Sequence, residues 1–205
     1  MTQYESRIGT ASKEAIFTSN ALLSSGSIIA PAVVVATSFM QAAALCIIFS
    51  TVTYITVVVC SYVPRKLLYT IRIIIYTLVA SLVYVPAAML VELFMPSYFA
   101  ALGIYAPLLI TNSMITVRTE AKFYRLKRGY MLQLAAFYVI GYDIGLLALG
   151  TLREMMANGG LFGLKMLPIS VPTVSSLFGG FIVLAILSAG FRWISARLLR
   201  REEAA

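Results

Sequence analysis

SFMQAAALCIIFSTVTYITVVVCSY, residues 38–62, is the stretch that decides the fold class of this chain. It contains no Asp, Glu, Lys or Arg. A helix needs about 20 mostly apolar residues to cross the hydrocarbon core of a bilayer. In lipid, the length and apolarity of such a run outweigh the strand preference of its Val, Ile and Thr residues, because a helix satisfies its own backbone groups. We therefore predict a transmembrane helix here.

The rest of the chain shares this apolar character. Of the 205 residues, 60% are hydrophobic, and the mean hydropathy is +0.92, whereas soluble domains are about 45–50% apolar. A soluble core of this size cannot bury such an excess. The sequence therefore excludes a soluble enzyme and predicts an all-α, polytopic protein of the lipid bilayer. Six transmembrane segments are expected, at about residues 15–36, 38–62, 67–94, 98–116, 130–156 and 174–199.

The charged residues are few and strongly biased. Sixteen Lys and Arg residues and eight Asp and Glu residues give a net charge of +8. The basic residues form short clusters between apolar segments, which is typical of the positive-inside rule and argues against a nucleic-acid partner. With six crossings, the amino terminus, the Arg65–Lys66 turn, the 118–128 loop and the carboxyl terminus share one side. Only Arg153 and Lys165 are assigned to the other side, so both termini are predicted to be cytoplasmic.

The first and fourth segments are interrupted by polar residues and helix breakers. In the first, a polar stretch at 24–27 precedes Pro31; in the fourth, Gly103 and Pro107 precede the polar run 111–113. In both, an Ala-Pro pair is followed by an apolar run and then by a threonine with a polar neighbour. Both segments are therefore predicted to be broken helices.

Each broken segment opens a group of three, and three crossings per group invert the second group relative to the first. We predict one membrane domain, residues 1–205, built from inverted repeats at about 15–94 and 98–199. Paired broken helices indicate a binding site near the bilayer midplane, although small residues and Pro also serve close helix packing alone. The candidate site residues are Asn20, Pro31, Pro107, Thr111, Asn112 and Ser113.

Asp143 is the only aspartate and lies near the middle of the fifth segment. Ionisable groups at membrane depth are costly and mark functional sites by default. Asp143 could bind a cation, relay a proton or pair with a neighbouring subunit. The alternative is a purely structural hydrogen bond to Tyr138, Tyr142 or a backbone group.

The two cysteines do not form a plausible metal site. Cys46 and Cys60 are fourteen residues apart in one segment, which separates them by about 21 Å along a helix. The chain has no histidine, so a His-ligated haem is excluded. No phosphate-binding glycine loop or nucleophile–base pair is present, and the chain is predicted to be non-catalytic by itself.

Several motifs resemble those of one membrane-protein family. The stretch LGIYAPLLITN at 102–112 is similar to a Leu-Gly-Ile…Pro-Leu-Ile…Thr-Asn-Cys motif, and RTEA at 118–121 matches Arg-x-Glu-Ala. LRE at 152–154 and NGGLFG at 158–163 resemble an Arg-Glu…Gly-Thr-Leu-Phe-Gly stretch, and Ser19-Asn20 precedes the Ala-Pro pair at a similar distance. By these residues the chain resembles the Rnf/Nqr family of membrane subunits, most closely the RnfE/NqrD type, from about residue 19 onward.

This resemblance implies a prokaryotic plasma-membrane subunit of an ion-pumping electron-transfer complex. It also implies that a homologous membrane subunit of opposite topology and other redox subunits are partners. In the family, one cysteine on each broken helix helps to hold a two-iron, two-sulfur cluster between the two homologous subunits. The matching positions here are Ala30 and Ser113, and neither residue supplies a thiolate. We expect no cofactor bound by this chain alone, with iron–sulfur or flavin groups in its partners.

Three functions remain open on the sequence. The first is a diverged subunit of an Rnf/Nqr-like complex that couples electron transport to ion translocation without its own cluster ligands. The second is a redox-independent ion or small-molecule transporter on the same inverted-repeat scaffold, with Asn20, Asn112, Ser113 and Asp143 around the path. The third is a structural membrane subunit without a site.

Overall fold

Six α-helices dominate the part of the chain that the computed structural model describes, namely residues 20, 22–23, 26, 28–64, 66–112, 114–119, 128–162, 164–165, 168 and 170–203. Between α5 and α6, the strands β1 (Gly160–Leu161) and β2 (Leu164–Lys165) form a minimal antiparallel hairpin. The prediction of an all-α polytopic protein is confirmed. The helices are α1 (Ile29–Val35), α2 (Phe39–Cys60), α3 (Tyr69–Phe94), α4 (Pro96–Leu102), α5 (Arg128–Asn158) and α6 (Leu177–Glu203).

Four of these helices are long and apolar enough to cross a membrane: α2, α3, α5 and α6. The fourth predicted segment is bent by 51° between Pro96–Tyr105 and Pro107–Val117, and it makes a fifth span when counted as one. The first predicted segment lies partly outside the described residues. Its described helix, α1, has seven residues, or about 10 Å, which is too short to cross a bilayer. A sixth crossing therefore stays a prediction.

The broken character of the fourth segment follows from its sequence. After α4, the chain forms two short 3-10 turns, Gly103–Tyr105 and Pro107–Thr111, and then a π-helical turn, Met114–Arg118. Gly103 has a positive φ of 49°, a conformation that costs glycine little and interrupts a regular helix. Pro107 opens the second turn, where its missing N–H donor is not needed.

The core of the molecule is the pair α2 and α5. In their most apolar windows, 56% and 50% of residues are buried, compared with 22% in both α3 and α6. The last two therefore expose most of their apolar side chains on the surface of the chain, as is typical of membrane-spanning helices. The central helices run antiparallel along their full length. Contacts mark one end, the middle and the other end of the pair: Tyr62 with Arg128, Ser50 with Asp143, and Phe39 with Glu154.

Arg153, which the sequence places inside the fifth segment and assigns with Lys165 to the face opposite the basic clusters, lies near the carboxyl end of α5. It is part of α5, which continues to Asn158, and its side chain is completely buried. An arginine is tolerated there because backbone carbonyls from other elements bind its guanidinium. The charge asymmetry between the two predicted membrane faces becomes larger, since only Lys165 is left opposite the basic clusters.

Candidate functional site

Asn20 ties the first broken segment to the middle of α5. Its Nδ2 donates to the backbone oxygen of Gly141 at 2.6 Å, and its side chain is 1% exposed. Its Oδ1 accepts hydrogen bonds from the backbone N–H groups of Leu22 and Leu23, both at 3.0 Å. The side chain therefore closes a local turn and joins that turn to a central helix.

Asn112 joins the second broken segment to the other central helix, α2. Its Nδ2 donates to Thr53 Oγ1 at 3.1 Å and to the backbone oxygen of Leu109 at 2.7 Å. Its Oδ1 accepts from the N–H of Ile115 at 3.0 Å, and the side chain is 4% exposed. Each broken segment thus reaches the central helix of the opposite predicted repeat through one buried asparagine.

Asp143 lies at the centre of α5 (Arg128–Asn158), fifteen residues from either end and two residues from Gly141. The hydroxyl of Ser50, in the middle of α2, donates to Asp143 Oδ2. Asp143 Oδ1 is buried and has no hydrogen-bond partner among the described residues. The Cys46 thiol, one turn from Ser50, donates to the backbone oxygen of Asp143 at 3.7 Å.

The structural alternative considered for Asp143 involved its tyrosine neighbours. Tyr142 donates its hydroxyl elsewhere, to the backbone oxygen of Ile28 at 3.2 Å, and its ring packs on Phe49 at a centroid distance of 4.1 Å. Ile28 has a positive φ of 60° directly before α1. The Tyr142 hydroxyl therefore binds the backbone directly before α1. The side-chain hydrogen bond to Asp143 comes from Ser50 and not from Tyr142.

These contacts form one layer across the protein. Ser50 and Thr53 are one turn apart on α2 and share a face, while Gly141 and Asp143 are two residues apart on α5. The layer joins both broken segments at mid-height of the central pair. We call it the polar layer, defined by Asn20, Ser50, Thr53, Asn112, the Gly141 carbonyl and Asp143.

The remaining predicted site residues are not part of this layer's contacts. Pro31 is buried in the first turn of α1, and Pro107 and Thr111 are exposed. Ala30 is exposed on α1 and has no donor atom for a metal. Ser113 lies outside the described residues. Ala30 therefore does not fit a thiolate-ligated cluster, and the buried cysteines Cys46 and Cys60 both lie on α2.

A second set of buried hydrogen bonds surrounds Arg153, near the end of the central helix pair where the Phe39 N–H binds Glu154. Its Nη1 donates to the backbone oxygens of Val33 at 2.5 Å and Ala36 at 3.0 Å, which belong to the carboxyl end of α1. Its other nitrogens donate to carbonyls directly before α6, from Val174, Ser175 and Ser176, at 3.0–3.3 Å. A cation is favourable at such an end, where helical carbonyls have no partner in their own helix.

Glu154, the next residue, binds the opposite kind of helix end. Its Oε2 accepts from the N–H of Phe39, the first residue of α2, at 2.8 Å. Its Oε1 accepts from the N–H of Phe162 at 3.0 Å. Arg153 and Glu154 together fix the turn between α1 and α2, and sequence reasoning missed this role. The available signal was a pair of opposite charges inside an otherwise apolar segment.

The fold and the polar layer define a class: a polytopic helical membrane protein in which two broken segments meet a central antiparallel helix pair. The profile of the family described as "Rnf-Nqr subunit, membrane protein" matches residues 9–196. The chain belongs to the Rnf-Nqr family of membrane subunits.

Individual relatives agree with this assignment. The chain is 32% identical over 154 residues to RnfE, a subunit of the ion-translocating oxidoreductase complex, from Escherichia coli (strain K12 / DH10B). Proteins of the same name in Escherichia coli O157:H7 and Shigella boydii serotype 18 give the same identity. The match covers 66% of this chain and 66% of each relative, so the chain spans just under two thirds of their length.

Proposed function

We propose that this chain is an integral subunit of a complex that couples electron transport to ion translocation in a prokaryotic plasma membrane. The observation that carries the proposal is the similarity to RnfE of the ion-translocating oxidoreductase complex. The reciprocal asparagine contacts support it, because each broken segment reaches the central helix of the other predicted repeat. An inverted repeat produces such reciprocity.

The chain contributes no iron–sulfur ligand in this proposal. Ala30 carries a methyl group where the resemblance implies a thiolate, and Ser113 offers a hydroxyl. The partners are then a homologous membrane subunit of opposite topology and redox subunits that carry the iron–sulfur or flavin groups. The exposed position of Ala30 on α1 supports an interface at this face of the broken segment.

Purification in a mild detergent tests membership in such a complex. A tagged chain at its natural expression level should bring a homologous membrane subunit and flavin- or iron-containing subunits through affinity and size-exclusion steps. A tagged, unrelated polytopic protein of the same membrane serves as the control. Recovery of the chain without any redox subunit would contradict the proposal.

Iron analysis tests the missing ligands separately. The purified chain alone should contain no stoichiometric iron and no visible absorption of a cluster. The variant carrying both Ala30→Cys and Ser113→Cys, purified with the homologous partner, is expected to gain iron. Stoichiometric iron in the unmodified chain alone would contradict the ligand assignment.

A redox-independent ion or small-molecule transporter is the second candidate. It is favoured by one observation: the central acid Asp143 joins the two core helices within a layer that contacts both broken segments. Reconstitution into liposomes without an electron donor distinguishes the candidates. Transport that is lost in Asp143→Asn would favour the transporter over the redox subunit.

A further inference from the structure

Asp143 has no cationic partner in the described part of the chain. One carboxylate oxygen accepts a single hydrogen bond from Ser50, and the other is buried without a hydrogen-bond partner. Arg153, on the same helix, is ten residues away, or about 15 Å. Its guanidinium is already bound by backbone carbonyls at the end of α1 and before α6. No basic side chain among the described residues therefore compensates the charge of Asp143.

An uncompensated carboxylate at this depth is expensive. Intramembrane acids are paired, neutralised or placed on an ion pathway, because a bare charge in an apolar medium costs several kcal/mol. Among the described residues, the titratable groups that interact with Asp143 are the Cys46 thiol on α2 and the adjacent Tyr142 on α5, whose hydroxyl donates to the Ile28 carbonyl. Neither supplies a positive charge. Within the described residues the charge of Asp143 is therefore uncompensated, and a bound cation would neutralise it.

We propose that Asp143 and Ser50 form a binding site for a small monovalent cation, either a proton or Na⁺, at the centre of the α2–α5 pair. The free oxygen of Asp143 receives the cation, and the Ser50 oxygen is a second ligand for Na⁺ or orients the carboxyl group for a proton. The site deepens the proposed function, on which it rests, by naming where the translocated charge binds. It requires no electron donor, so it can be tested apart from complex membership.

The polar layer connects this site to both broken segments. Asn20 binds the Gly141 carbonyl, two residues from Asp143 on α5. Asn112 binds Thr53, one turn from Ser50 on α2. Residues near this site on α2 and α5 therefore bind both broken segments. Backbone groups at such breaks serve as ion ligands in membrane proteins.

Infrared difference spectroscopy of the full chain in its membrane reads the protonation of this carboxyl group directly. Raising the pH should convert a carbonyl band of a protonated carboxyl into carboxylate bands, and Asp143→Asn should remove that change. Addition of Na⁺ at constant pH distinguishes the two cations. A Na⁺-dependent conversion identifies a Na⁺ site, whereas a conversion that depends on pH alone identifies a proton site.

Labelling with a hydrophobic carbodiimide gives a second measurement that needs no variant. The reagent reacts with protonated carboxyl groups in apolar surroundings, and peptide mapping locates the product. Asp143 should be labelled, and its labelling rate should fall about tenfold per pH unit above the midpoint. Glu154 is the internal control, because it lies on the same helix and is 8% exposed, with both oxygens bound by backbone N–H donors. It should remain unlabelled.

Ser50→Ala tests the second member of the site and keeps the central carboxyl group in place. It should shift the pH midpoint or the Na⁺ concentration at which Asp143 is half-protected from labelling. The proposal is overturned when Asp143 shows neither a pH- or Na⁺-dependent infrared change nor any carbodiimide labelling. That result leaves the co-purification test of complex membership unaffected, so the two failures can be told apart.

Discussion

At the scale of single residues, the two asparagines hold the broken segments in place. Each uses its amide oxygen to cap a local turn and its amide nitrogen to reach a central helix. Both side chains are almost completely buried, so neither can exchange these partners for water. Their loss therefore leaves buried polar groups unsatisfied, which is more costly than the loss of a solvent-exposed hydrogen bond.

Asn112→Ala should lower the free energy of unfolding by about 1–3 kcal/mol, because the Thr53 hydroxyl and the Leu109 carbonyl lose the buried amide that donates to them. Thr111→Ala is the matched control, since Thr111 is adjacent and exposed, and its hydroxyl donates to the Leu108 carbonyl at 3.4 Å. Its effect should be within about 0.5 kcal/mol. Unfolding titrations in detergent give both values. Equal effects of the two substitutions would refute the role assigned to Asn112.

Arg153→Met should destabilise the protein by about 3 kcal/mol or more, because carbonyls at the end of α1 and before α6 lose a shared donor. Glu154→Gln keeps one acceptor oxygen and should cost about 1 kcal/mol. Arg197→Met is the control, since Arg197 is exposed and stacks on Trp193 at 3.9 Å. Thermal unfolding in detergent measures all three. If Arg197→Met destabilised the protein as much as Arg153→Met, the loss of stability could not be attributed to the buried hydrogen bonds of Arg153.

At the scale of helices, the separation of α2 and α5 is set by small residues. A Cβ atom at Gly150 would lie 2.7 Å from the Cβ of Ala42 and 2.9 Å from the Ser38 oxygen. Both distances are shorter than a van der Waals contact. The close approach places Phe39 within reach of Glu154, so the helix-end contact depends on this glycine.

Gly150→Ala should therefore destabilise the protein by about 1–3 kcal/mol through overpacking. The same substitution at Gly190 in α6, where a Cβ would meet nothing within 4 Å, should be neutral or stabilise by up to about 1 kcal/mol through helix propensity. Unfolding titrations of the two variants side by side test the opposite signs. A destabilising Gly190→Ala with a neutral Gly150→Ala would contradict the packing described here.

The sequence predicts the helices well because apolarity over about 20 residues is a local property. Segment 2 was expected at 38–62 and is α2, Phe39–Cys60; segment 5 was expected at 130–156 and is Arg128–Asn158. The interruption around Gly103 and Pro107 was also predictable, since glycine, proline and polar residues break a helix locally. Pro31 does not interrupt a helix, because it lies in the first turn of α1.

The side-chain partners were not predictable in the same way, because they come from distant parts of the chain. Ser50 and Asp143 are 93 residues apart, and the Arg153–Val33 contact spans 120 residues. Counting charges along the sequence assigned Arg153 to one membrane face but did not predict its buried contacts, since the carbonyls that bind it carry no sequence signature. One signal was available: Cys46, Ser50 and Thr53 follow a spacing of four and three residues, which predicts a polar face on α2.

At the scale of the whole molecule, the orientation in the membrane follows from the basic clusters. Arg128 lies at the Tyr62 end of the central pair, and Glu154 lies at the other. Fusions of a fluorescent protein to either terminus should fluoresce, and alkaline phosphatase fusions there should be inactive, because both termini are predicted to be cytoplasmic. A phosphatase inserted between α5 and α6 should be active. Termini on opposite faces would remove the inverted-repeat interpretation.

The antiparallel core has a mechanical consequence. Three contacts join α2 and α5 at one end, in the middle and at the other end: Tyr62 with Arg128, Ser50 with Asp143, and Phe39 with Glu154. A shift of one helix along the other by one helical turn would break all three contacts at once. The register of the inner pair is therefore expected to stay fixed, and the two buried asparagines hold both broken segments to it.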